Sequence, residues 1–82
     1  MFDLTGRVAI VTGGASGIGR GIVASLREAG ATVVIADIDL DHATATAEEL
    51  GASAIRVDVT DRASVKDLYR QVTAEHGGFD IV

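Results

Sequence analysis

Between Thr12 and Gly19 the chain reads Thr-Gly-Gly-Ala-Ser-Gly-Ile-Gly. No other stretch limits the possible folds so strongly. The apolar run Val8-Ala9-Ile10-Val11 leads into it and an amphipathic run from Ile18 to Ala29 leads out. That order is a strand, a glycine turn and a helix. Glycines remove Cβ atoms where a backbone must turn sharply and where a ligand must approach the main chain. A helix starting at such a turn aims its free N–H groups and positive dipole end at one spot, which suits a phosphate.

The same alternation continues downstream. Arg7 to Val11 lacks polar alternation after Arg7, as expected of a strand covered on both faces in a parallel sheet. Ile18, Ile22, Leu26 and Ala29 fall at helical steps and predict the inward face of the first helix, with Gly30 at its C-terminal cap. Ala31 to Ala36 predicts a second buried strand ending at Asp37. Asp39 or Asp41 caps a second helix, with Ala43, Ala47 and Leu50 inward and Gly51 as its stop. Ser53 to Val57 predicts a third strand, followed by Asp58-Val59. Thr60 or Asp61 then caps a third helix with Val65, Leu68, Tyr69 and Val72 as its apolar stripe. Phe79 to Val82 opens a fourth strand. The pattern is β-α-β-α-β-α-β, which implies an α/β fold with a parallel sheet.

Ligands of such sheets bind beyond the carboxyl ends of the strands. Three features meet there: the turn from Gly13 to Gly19, Asp37 and Asp58. The turn lacks the Lys-Ser/Thr pair of a triphosphate-binding loop, which disfavours ATP or GTP hydrolysis. Its expected ligand is the pyrophosphate of a nicotinamide dinucleotide. Asp37, 18 positions after Gly19, can accept hydrogen bonds from an adenosine ribose and would repel a 2′-phosphate. No basic residue stands at Ser16 or Ile38 to offset that repulsion, so NAD is favoured over NADP. The competing role for Asp37 is a helix cap or a solvated turn acid. Asp58 has two readings of equal weight: an acceptor for the adenine amino group with Val59 against the ring, or a cap for the helix near Asp61.

Composition narrows the classes. In 82 residues there are seven basic and twelve acidic side chains, a formal charge of −5, which disfavours nucleic-acid binding. The absence of cysteine excludes disulfides, cysteine-based zinc sites and a cysteine nucleophile. His42 and His76 have no ligand-spaced partner, and Asp37, Asp39 and Asp41 lack the glycine and distal Glu of a calcium loop, so no metal site is expected. No signal pattern or membrane-length apolar run is visible, and a cytoplasmic protein is the expectation. One partial domain, residues 1–82, is expected. Its end inside a strand suggests a fragment of a longer protein.

Thr12-Gly13-Gly14-Ala15-Ser16-Gly17-Ile18-Gly19 resembles the Thr-Gly-x-x-x-Gly-x-Gly motif of the short-chain dehydrogenase/reductase family. Asp37 matches that family's NAD-selecting acid, and Asp58-Val59 its adenine-contacting pair. The likeness runs over essentially the whole chain. It implies a Rossmann fold with helices on both faces of the sheet. It also implies hydride transfer between NAD(H) and a small alcohol or carbonyl substrate, and a homodimer or homotetramer when intact. By this likeness Ser16 and Ile18 touch the phosphates, and Ile38 the adenosine. The family's Asn-Asn-Ala-Gly segment would follow Val82, with its catalytic Ser and Tyr-x-x-x-Lys further on, so no catalytic residue is expected in these 82 residues. The alternative reading is a non-catalytic dinucleotide-binding or scaffold module.

Overall fold

The computed structural model describes residues 3–15 and 17–79. Ser16 and the expected fourth strand beyond Phe79 lie outside them. Three strands, β1 (Val8–Thr12), β2 (Thr32–Asp37) and β3 (Ser53–Arg56), alternate with helices α1 (Gly17–Glu28), α2 (Leu40–Leu50) and α3 (Arg62–His76). The strands form one parallel sheet in the order β1-β2-β3. Its register pairs Thr12 with Ala36 and Asp37 with Arg56, so the carboxyl ends of all three strands share one edge.

Each face of the sheet carries its own core. Ala9, Val11, Val33 and Ile35 pack with Val23 of α1 and with Ala43 and Ala47 of α2. Ile10, Val34 and Ala36 pack on the opposite face with Leu68 and Val72 of α3. Consecutive residues of a strand point to opposite faces. Two covered faces therefore require the unbroken apolar runs seen in β1 and β2.

The helix boundaries follow local chemistry. Asp39 caps α2, its side chain accepting from the His42 N–H, and Gly51 ends the helix at φ 71°. Asp61 caps α3 by accepting from the Ala63 N–H, and Gly77 ends it at φ 79°. These left-handed positions favour glycine because a Cβ there is strained.

Two expectations about inward faces are corrected. Ile18 is 85% exposed and Ile22 47%, whereas Val23 is fully buried. The inward face of α1 begins at Gly19 and continues through Val23 to Leu26. Its first position carries no side chain, so the apolar pattern alone shifts the reading back onto the neighbouring isoleucine. On α3 the buried residues are Leu68 and Val72, while Tyr69 is 36% exposed and stacks on Phe79 with ring centroids 5.0 Å apart.

Candidate dinucleotide-binding site

The turn after β1 is held residue by residue. The Gly13 N–H donates to the Ala36 carbonyl at 2.8 Å, which ties the start of the turn to β2 beside Asp37. Gly13 has φ 67° and Gly17 φ 59°, and a Cβ added at either would meet nothing within 4 Å. Backbone conformation explains both glycines, and the space around them is open to a ligand. Gly14 and Gly19 are explained by contact instead. A Cβ on Gly14 would lie 3.1–3.2 Å from Val23, Ile35 and Val11. A Cβ on Gly19 would overlap the Gly13 carbonyl oxygen and come within 3.0 Å of the Gly14 Cα. The spacing of these glycines thus lets α1 start directly over the end of β1.

No acidic side chain occupies the first turn of α1, whereas α2 begins with an Asp39 cap and Asp41 in its first turn. The positive end of the α1 dipole therefore faces the turn without a carboxylate in that first turn to offset it.

A cleft of about 250 Å³ adjoins this corner, lined by Gly13, Ala36, Asp37, Ile38, Val57, Asp58, Val59 and Thr60. Five residues singled out from the sequence, Gly13, Asp37, Ile38, Asp58 and Val59, thus share one cavity. Gly17, Ile18 and Gly19 stand outside its wall, on the first turn of α1. Ile38 and Val59 are 58% and 65% exposed, an apolar pair at the mouth of the cleft. Thr60, Ala36 and Val57 complete the wall and were not anticipated. The signal for Thr60 was available, because Asp-x-Thr favours a turn in which the aspartate accepts from the residue two positions on.

That turn fixes Asp58. Its Oδ1 accepts from the Thr60 hydroxyl at 2.6 Å and from the Thr60 N–H at 3.0 Å. The hydroxyl bond foremost, then the backbone bond, holds the Asp58 carboxyl below its ordinary value; exposure makes the opposing burial effect weaker, and nearby Arg56 adds slightly. The Asp58 N–H donates to Ser64 Oγ at 2.9 Å. The capping role considered for Asp58 belongs to Asp61. The Asp37 carboxylate accepts from the Asp39 N–H at 3.2 Å. One such bond leaves most of the acceptor capacity of a carboxylate, roughly four lone-pair sites, for other donors. Among the described residues no group of three His, Asp or Glu side chains is placed to hold a metal ion, and no helix is long and apolar enough to cross a membrane.

A parallel sheet with a glycine turn at the head of its first helix and a cleft at the strand ends defines an α/β dinucleotide-binding class. The sequence profile of the short chain dehydrogenase family matches residues 7–82, and the chain belongs to that family. It is 43% identical over 81 residues to galactitol 2-dehydrogenase of Agrobacterium fabrum, covering 96% of this chain and 32% of that protein. It is 49% identical over 81 residues to (+)-borneol dehydrogenase 1 of Salvia officinalis, covering 96% and 31%. Among solved structures, the Pseudomonas aeruginosa RhlG/NADP complex superposes with a TM-score of 0.92 at 35% identity, covering 98% of this chain and 33% of that one. The chain spans about a third of the length of each of these three proteins.

Proposed function

We infer that this chain is the cofactor-binding part of an NAD(H)-dependent oxidoreductase that interconverts an alcohol and a ketone or aldehyde. The observation that carries the reading is the shared corner: the open glycine turn, the head of α1 and the Asp37 carboxylate meet at one sheet edge. In this reading Gly13, Ser16, Gly17, Ile18 and Gly19 surround the pyrophosphate. Asp37 and Ile38 hold the adenosine ribose, and Asp58 and Val59 flank the adenine. The bound nicotinamide would supply or accept the hydride. The residues here would orient it and exclude water from one side.

Selection of NAD over NADP rests on charge. Asp37 would repel a 2′-phosphate, and Ile38 beside it offers no cation. Arg20, a basic residue near the head of α1, is engaged by Glu49 of α2 at 2.6 Å. RhlG, 35% identical over this stretch, was solved with NADP; in this chain Asp37 is the candidate for discriminating between the two cofactors.

The relatives' names point to small hydroxylated substrates: a polyol in one case and a terpene alcohol in another. We place the intact protein in the cytoplasm as a homo-oligomer acting on such an alcohol or its carbonyl. The test is to supply the intact protein with NAD and a panel of polyols and secondary alcohols, and to follow nicotinamide absorbance. Reduction of NAD by at least one alcohol is expected. A protein that binds the dinucleotide yet turns over no alcohol or ketone would support the non-catalytic module instead.

A further inference from the structure

Thr46 is a buried polar side chain in an otherwise apolar inner face of α2. It is 2% exposed, between Ala43 and Ala47 at helical spacing. Valine would fill the same volume there, so the hydroxyl needs its own explanation. Thr46 Oγ1 donates to the Ala15 carbonyl at 3.0 Å, across 31 residues of sequence. Ala15 is itself buried, at 1% exposure, and is the last described residue before the second half of the glycine turn.

Three successive turn residues are therefore fixed by contacts from four elements, β1, β2, α1 and α2. Gly13 is bonded to β2, Gly14 lies bare against Val11, Val23 and Ile35, and Ala15 is bonded to α2. The first two contacts belong to β1, β2 and α1, whose packing the strand-turn-helix unit requires in any case. The third reaches the turn from a helix that takes no part in that unit. A backbone held in its binding geometry before the ligand arrives loses less entropy on binding.

We propose that Thr46 is a positioning residue for the dinucleotide, holding the Ala15 carbonyl so that the glycine turn keeps its binding shape. This rests on the functional reading above. It adds a residue of α2, remote from the cleft wall, to the determinants of cofactor affinity.

The test titrates NADH into the intact wild type and into Thr46→Val, Thr46→Ala and Thr46→Ser, well below each melting midpoint. Loss of one buried hydrogen bond should weaken NADH binding on the order of fivefold to tenfold in the valine and alanine forms. Serine keeps the hydroxyl and should restore affinity to about twofold of wild type. A purely structural role would instead track side-chain volume, with valine resembling wild type and serine resembling alanine. Should the valine form fail to fold, the alanine and serine pair makes the same comparison. A wild type that binds NADH while all three variants bind equally well overturns the proposal alone. A wild type that binds no dinucleotide overturns the functional reading and this proposal with it.

Discussion

The bare Cα of Gly19 packs against the Gly13 carbonyl so closely that a Cβ at position 19 would overlap the oxygen. Both partners at this contact are backbone, so no flexible side chain can give way. Gly21 lies on the same helix with nothing within 4 Å of an added Cβ. Alanine in a helix interior is favoured over glycine by about 1 kcal/mol. Gly21→Ala should therefore stabilise by roughly 0.5–1 kcal/mol. At Gly19 the same gain is opposed by an overlap costing roughly 1–3 kcal/mol or more, so Gly19→Ala should destabilise. Denaturant midpoints of the two variants, measured in the intact protein, should move in opposite directions.

Asp37 joins the cleft to the glycine turn through its neighbour Ala36, which accepts the Gly13 N–H. If Asp37 accepts the ribose hydroxyls as proposed, removing its carboxylate should lose roughly 1.5–3 kcal/mol, about ten- to hundredfold in NADH affinity. Asp37→Ala should leave NADPH binding unchanged or tighter, because the repulsion is removed with the charge. Titration calorimetry of both cofactors on the variant checks this; unchanged NADH affinity would remove Asp37 from the site.

Val23 is fully buried between α1 and the sheet, and Ile18 is 85% exposed on the first turn. Val23→Ala should cost about 1–3 kcal/mol through lost burial and the cavity left behind. Ile18→Ala should change stability by no more than about 0.5 kcal/mol. If Ile18 lies against the dinucleotide, its loss should appear in cofactor affinity instead. Thermal melts with and without NADH separate the two effects.

The Asp58 carboxyl titrates below its ordinary range because the Thr60 hydroxyl and N–H stabilise its ionised form. A carboxyl depressed in the folded state contributes stability above its unfolded pKa, and that contribution is lost as pH falls through the folded value. The effect is thus confined to acid solution. Asp58 stays ionised, and able to accept from an adenine amino group, throughout the neutral range. Thr60→Val should raise the Asp58 midpoint toward the ordinary carboxylate value by removing the principal bond. Carbon-detected NMR titration of the side-chain carboxyl reads the shift directly.

Much of this architecture was legible in the sequence. The apolar runs of β1 and β2 and the Gly51 stop are local signals that the structure places as expected, and of the alternative caps it selects Asp39 and Asp61; the Gly77 stop was not read from the sequence. The sharing of one cleft by Asp37 and Asp58 followed from the parallel topology, which sends every strand's carboxyl end to one edge. The start of the inward face of α1 was not legible, because Gly19 gives no apolar mark to the position that touches the turn, whereas Leu26 further along packs on the core as expected. Thr46 was also missed. A threonine among alanines at inward spacing was visible, but its partner, the Ala15 carbonyl, is remote in sequence and only packing brings them together. Tyr69 fits the apolar stripe of α3 by spacing, yet its ring lies at the margin of the core on Phe79.

The central claim is that the glycine turn and Asp37 together form a site for NAD rather than NADP. Parallel calorimetric titrations of NADH and NADPH into the intact protein test it most directly. The account predicts a preference for NADH of at least about tenfold, or roughly 1.4 kcal/mol. Equal affinity, a preference for NADPH, or no binding of either dinucleotide would contradict it.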